Sequence, residues 1–234
     1  KKGTTPSSDQ PRRLRVVNGC SKAPLWIAHT AAAGAGPGGQ DVKIQAGGSH
    51  DFVTPNGLSA TRYWPKMGCD VLGANCVIGD SGGPKEACVS RLPTGDDYSR
   101  CAPPVDTKFE ASFGQHGEPC NPMAPNGSEM KGCDYVDMSL VDGFTLPFKL
   151  DVDGYCAGKG DKKVRELDCS GLSLALCPDK EHLSAAGLTT DLRAVNPFTS
   201  QVAGCYSPCQ KLIDDKWGNL QAFGRAAQDP AAAP

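Results

Sequence analysis

The residues of this chain best placed to do chemistry are a few carboxylates set among strand-forming neighbours. In Tyr135-Val136-Asp137-Met138-Ser139, side chains alternate between two faces if the segment is extended. Tyr135, Asp137 and Ser139 then share one face, which can be wet. Val136 and Met138 share the other, which can be buried. Glu110 stands in a second extended segment, Thr107 to Phe113. Two carboxylates beside a glycosidic bond can hydrolyse it. One must be protonated as general acid, and the other ionised as nucleophile or base. Tyr135, Tyr63 and Trp64 could offer flat faces to sugar rings, or serve only as packing.

Gly79-Asp80-Ser81-Gly82-Gly83-Pro84 suggests a different chemistry, because it matches the hexapeptide around the nucleophile of trypsin-like serine proteases. That chemistry needs a histidine and an aspartate before the serine, and a complete first barrel to carry them. His29 lies in Trp26-Ile27-Ala28-His29-Thr30, only a faint echo of the histidine segment. The stretch before Ser81 is too short for the missing barrel. We therefore reject the protease reading.

Twelve cysteines are spread along 234 residues, and none forms a Cys-x-x-Cys pair. The four histidines (His29, His50, His116 and His182) lack zinc-site spacing, so no metal site and no cofactor is expected. An even set of scattered cysteines points to disulfides and an oxidising compartment. The formal charge of −2 argues against a broad grip on nucleic acid. No apolar run is long enough to span a bilayer. The chain opens on Lys1-Lys2-Gly3 with no signal peptide in view, as a mature secreted chain would.

The elements that must position these groups are short strands. Gly is 28 and Pro 19, so turns are frequent, while aromatics are only 6%. Residues 1–13 read as an extended arm. Leu14 to Asn18, Val42 to Ala46, Asp51 to Thr54, Thr61 to Trp64, Thr107 to Phe113, Tyr135 to Ser139 and Phe144 to Leu150 read as strands. Together 14–150 form a β-sandwich core, interrupted by a Gly/Pro/Asn-rich insertion at 115–132. Asn126-Gly127-Ser128 within it is an N-glycosylation pattern. Residues 151–225 read as a disulfide-rich, loop-rich lobe, with a short helix capped by Ser207 and opened by Pro208. Residues 226–234 are an Ala/Pro-rich tail.

Several segments, in one order, resemble the thaumatin-like proteins of pathogenesis-related family 5. Cys76-Val77-Ile78-Gly79-Asp80-Ser81-Gly82-Gly83, closed by Cys88, is similar to that family's diagnostic peptide, with Ile78 in place of Thr and Ser81 in place of Cys. Val16-Val17-Asn18-Gly19-Cys20 resembles its first strand. Thr61-Arg62-Tyr63-Trp64 with Gly68-Cys69, and Phe109-Glu110-Ala111-Ser112-Phe113, resemble two more. Asp134 to Phe144 is the closest match. Cys169 to Cys177-Pro178 and Cys205 to Cys209 keep family spacings. The likeness covers residues 14 to 215, and the family's last cysteine-rich stretch and final strand have no counterpart, so we expect a shortened C-terminal part.

The resemblance implies a mainly β fold: a thaumatin-like β-sandwich with a smaller disulfide-rich lobe. It implies an acidic cleft, onto which Arg62, Glu110, Asp137 and Asp142 map. A fifth carboxylate of the family has no counterpart that we can name. Tyr135 and Tyr63 are the expected ring-contacting residues. Family analogy nominates Glu110 as acid and Asp137 as its partner. Implied pairings are Cys69–Cys76, Cys177–Cys205, Cys120–Cys133 and, because Ser81 removes a partner, Cys88–Cys101. For the remaining four cysteines we expect Cys156–Cys169 and Cys20–Cys209, although connectivity does not follow from counts. Three functions stay open: a secreted protein binding β-1,3-glucan or related wall polysaccharide, a weak endo-β-1,3-glucanase, and a structural module of an extracellular glycoprotein assembly.

Overall fold

The computed structural model describes residues 11–84, 86–124, 129–157, 163–182 and 189–213. Alternating apolar and polar residues build its first half into antiparallel ladders. β1 (Leu14–Val17), β2 (Leu25–Thr30), β3 (Val42–Ile44), β4 (Ser49–Phe52) and β5 (Thr61–Lys66) follow in succession. A hairpin of β6 (Ser90–Leu92) and β7 (Gly95–Asp97) precedes β8 (Lys108–Ser112) and β9 (Tyr135–Ser139). The main sheet has the order β3-β2-β5-β8-β9, and β1 pairs separately with β4. Leu14 and Phe52 of that second ladder pack on Ile27, Ile44, Tyr63, Ala111 and Phe113 of the main-sheet region. This is the sandwich core. Pro11 and Arg13 are tied to it through Thr54, whose N–H donates to the Pro11 carbonyl at 2.7 Å and whose Oγ1 accepts from the Arg13 N–H at 2.8 Å.

Strand β2 escapes the strand reading above for a physical reason. Leu25 to His29 are all buried, and the apolar run Leu25 to Ala28 shows no alternation. It lies inside the main sheet with both faces covered.

The second half holds β10 (Gly143–Phe144), β11 (Phe148–Ala157), β12 (Lys163–Cys169), a 3₁₀ turn (Leu174–Leu176), β13 (Glu181–His182), β14 (Thr189–Thr190), β15 (Arg193–Val195), β16 (Val202–Tyr206) and the helix α1 (Pro208–Ile213). The three-stranded sheet β10-β16-β15 covers a smaller core of Val105, Cys177, Leu192, Ala194, Cys205 and Tyr206. A long hairpin, β11 with β12, crosses the point where the sequence suggested a change of character. This region therefore carries more strand than the loop-rich reading allowed. The reason is visible in β12, where Lys-Val-Arg-Glu-Leu-Asp-Cys is mostly exposed and offers no apolar face to read. Ser207 caps α1 as expected, its Oγ accepting the Gln210 N–H at 3.1 Å. Among the described residues, no helix is long and apolar enough to cross a membrane.

Four disulfides close four local loops: Cys69–Cys76, Cys88–Cys101, Cys120–Cys133 and Cys177–Cys205. The other two expected pairs are absent, and Cys20, Cys156, Cys169 and Cys209 are free thiols. Hairpin register explains one absence. Cys156 stands opposite Val164, whereas Cys169 stands opposite Phe148 at the far end of the same hairpin. Cys20 follows β1, its N–H donating to Asn18 Oδ1 at 2.9 Å, and Cys209 lies on α1 and is exposed. Asn126 lies outside the described residues, as do the segments 1–10 and 226–234.

The hexapeptide Gly79–Pro84 is packing, laid across one face of the main sheet. The Gly79 carbonyl accepts the Trp64 indole N–H at 3.0 Å. Gly83 sits so close to that indole that a Cβ would come within 2.4 Å of it. Gly79 has φ +78°, and a Cβ there would meet the Pro65 carbonyl at 2.3 Å. Next along β5, Lys66 is fully buried. Its ammonium meets Asp41 at 2.8 Å, Glu86 at 2.5 Å and Asp80 at 3.7 Å. Burial alone would depress Lys66, but Glu86 and Asp41 outweigh it and the net shift is upward. Three carboxyls share one cation, and the most buried of them keeps its proton: burial pushes Glu86 up to about 8 against the pull of Lys66.

Candidate functional site

Where the hexapeptide ends its crossing, the sheet face opens. Strand register brings three charged side chains into one row: Arg62 of β5 stands opposite Glu110 of β8, which stands opposite Asp137 of β9. These three residues, with Ala60, Thr61, Ala111, Ser112 and Tyr135, line a shallow hollow of about 200 Å³. Its floor is the sheet itself, and directly opposed residues of neighbouring strands keep their side chains in contact range.

Arg62 donates from Nε to Glu110 Oε1 at 2.5 Å. Asp137 has no ion-pair partner among the described residues. Burial first, and then the like charge of Glu110, push the Asp137 carboxyl above its usual range, against the attraction of Arg62. The carboxyl with the raised proton affinity is therefore the one that family analogy made the ionised partner. Glu110, nominated as acid, is bound by a guanidinium instead.

Tyr135 stands at the rim with half of its surface exposed, free to meet a ligand. Tyr63 does not, which corrects its expected role as a ring-contacting residue. Alternation along β5 turns it to the face opposite Arg62, where it is buried against His29, Phe52 and Phe109. Burial raises its hydroxyl to about 12. Trp64 shares the Arg62 face but is covered by Gly79 and Gly83.

Asp142 is not in the lining of the hollow. It lies in the turn between β9 and β10, paired with Lys108. Lys108 is on β8, two residues before Glu110 and on the same face. Sequence reasoning missed this lysine, although the alternation that placed Glu110 also places it. Ser81 is no nucleophile here. Its hydroxyl donates to the buried carboxylate of Asp106, while His29 lies in the sandwich core with Nε2 at 2.9 Å from the Gly39 carbonyl.

No family model matches the chain. Curated relatives do. Thaumatin-like protein 1 of Arabidopsis thaliana is 27% identical over 150 residues, which is 62% of this chain and 50% of the relative. Pathogenesis-related protein 5 of the same plant is 26% identical over 200 residues, 82% of this chain and 63% of the relative. Thaumatin-like protein 1 of Pyrus pyrifolia is 26% identical over 182 residues, 76% and 58% of the two chains. Over most of its length the chain is similar to thaumatin-like proteins. It spans between about half and just under two thirds of the length of these relatives. The mainly β architecture, four disulfides and short helix agree with a thaumatin-like fold.

Against the thaumatin-like pattern, two departures gain a structural account. Ser81, in place of a family cysteine, hydrogen-bonds Asp106. Cys88, released from that partner, bonds Cys101.

Proposed function

We propose that this thaumatin-like chain is a secreted protein that binds β-1,3-glucan or a related wall polysaccharide in the hollow over β5, β8 and β9. The observation that carries this reading is the cross-strand row Arg62–Glu110–Asp137 with Tyr135 at its rim. A neutral polysaccharide presents hydroxyl donors and flat ring faces. Asp137, which forms no ion pair among the described residues, is positioned to accept hydroxyls, and Tyr135 offers a ring to stack on. An open, shallow hollow suits a chain lying across the sheet. Four disulfides fit an oxidising compartment. The name pathogenesis-related protein 5 borne by one relative fits a role in defence.

One observation favours a second reading, weak glucanase activity. A general acid needs a raised carboxyl, and Asp137 has one beside a second carboxylate. In that reading Asp137 donates the proton and Glu110 is the ionised partner, the reverse of the family-based assignment.

Retention on insoluble β-1,3-glucan tests the binding reading, with Arg62→Ala and Asp137→Asn as variants. Retention by wild type and its loss in both variants is expected. No retention of wild type sinks the proposal. Release of reducing ends by wild type but not by Asp137→Asn would establish the glucanase, and equal rates in the two would remove Asp137 from any mechanism.

A further inference from the structure

The charged row over the sheet ends on a carboxylate that the protein does not pair. The main-sheet order puts β9 at an edge, so Asp137 has Glu110 on one side and no paired strand on the other. Across the row the charges run positive, negative, negative: Arg62, Glu110, Asp137. The first two neutralise each other through a contact of 2.5 Å. Asp137 forms no ion pair among the described residues. Lys108 stands diagonal to it, opposite Ser139 in the ladder, but is committed to Asp142. Two carboxylates directly opposite each other destabilise one another. The raised proton affinity of Asp137 agrees with this: burial and Glu110 increase it, and Arg62 offsets only part of the rise.

One positive charge at the β9 end would complete the row. A cation approaching the β5 end meets Arg62 and is repelled. At the β9 end it meets Asp137, with Glu110 behind it.

Tyr135 narrows the chemistry of that cation. It precedes Asp137 by two residues on β9, so the two share a face about 7 Å apart. Tyr135 is half exposed and lines the same hollow. A pyranose lying on its ring holds its edge substituents within reach of the carboxylate. An amine among those substituents supplies the charge, and its N–H groups donate to Asp137. A lysine side chain carries the same ammonium, but it has no ring face to lay on Tyr135.

We propose that the hollow selects amino-sugar units over neutral ones, the protonated amine of a glucosamine chain pairing with Asp137 while the sugar ring lies on Tyr135. Such selection rests on the reading that the hollow holds polysaccharide, and it names the sugar favoured there.

Calorimetry with a glucosamine oligosaccharide and its N-acetylated form, which keeps the rings and loses the charge, tests the selection. In weakly acidic buffer the amine form should bind about three- to fivefold more tightly. High salt should shrink the preference. Raising the pH until the amine is neutral should abolish it, and so should lowering the pH until Asp137 takes its proton. In Asp137→Asn the preference should be gone, whatever affinity remains. Asp96→Asn removes an equal charge from the exposed β6–β7 hairpin and should keep the preference. Its loss there would mean general attraction of a polycation and overturns the proposal. Carboxyl NMR gives a second readout: the Asp137 midpoint should fall on adding the amine oligomer and not on adding the acetylated one. A midpoint unmoved by the amine oligomer overturns the proposal. So does equal binding of the two oligomers by a protein retained on β-1,3-glucan, a result that leaves the polysaccharide reading standing. A lysine oligomer bound as tightly as the glucosamine oligomer overturns the assignment to a sugar. No binding of any of these saccharides sinks the polysaccharide reading itself.

Discussion

The ammonium of Lys66 lies 2.5 Å from the carboxyl of Glu86, with the two side chains 0% and 2% exposed. Asp41 and Asp80 crowd the same ammonium, and Glu86 is pushed up to about 8. An unfolded glutamate titrates near 4.5. Between these values the folded protein holds a proton that the unfolded chain releases. Glu86 therefore contributes stability that is complete below the lower value and is lost as pH rises through the upper one. We expect urea stability to decline from about pH 5 to about pH 8 on this account. Glu86→Gln should flatten the decline and cost no more than about 1 kcal/mol at pH 6, since an amide replaces a neutral acid. A decline as steep in the variant as in wild type would refute the assignment.

Lys66→Met tests the other side of the cluster. It leaves Asp80 and Asp41 without their cation, and breaking a buried pair from one side costs about 3–5 kcal/mol. Equilibrium unfolding should show a loss of that order. A loss below about 1 kcal/mol would mean that the cluster is hydrated in solution.

Gly83→Ala should destabilise by about 1–3 kcal/mol through overpacking, because its Cβ would fall 2.4 Å from the Trp64 indole. Tryptophan emission should report the displaced ring. Unchanged stability and emission would remove the close approach as the reason for glycine there.

Alkylation of the non-reduced, unfolded protein followed by peptide mapping should find four alkylated cysteines: Cys20, Cys156, Cys169 and Cys209. The other eight should appear in the four linked pairs. Exposed Cys209 should react early in the native state. A Cys156–Cys169 link would contradict the hairpin register.

Legibility in the sequence followed the physics of each element. The half-exposed strand β9 alternates and could be read, and so could the shared face of Tyr135 and Asp137. β2 could not, because a strand covered on both faces loses alternation. β12 could not, because an exposed hairpin has no apolar face. Arg62, Glu110 and Asp137 lie 48 and 27 positions apart in sequence, and only cross-strand register makes them neighbours. Tyr63 was misjudged because an aromatic beside a charged residue reads alike on either face until the strand's facing is known. The Lys66 cluster draws its carboxyls from two long loops, and no local spacing announces it.

The four disulfides span 7, 13, 13 and 28 residues, and none bridges two strands of the main sheet. Seen as a polymer, the chain is a string carrying small closed rings, with most of its contour length open to extension. Tension applied at its ends would unzip β2 from β5 and β5 from β8 with only hydrogen bonds and side-chain packing in resistance. Covalent chemistry guards the loops from slackening, and the sheet that bears Arg62, Glu110 and Asp137 must hold its shape without it.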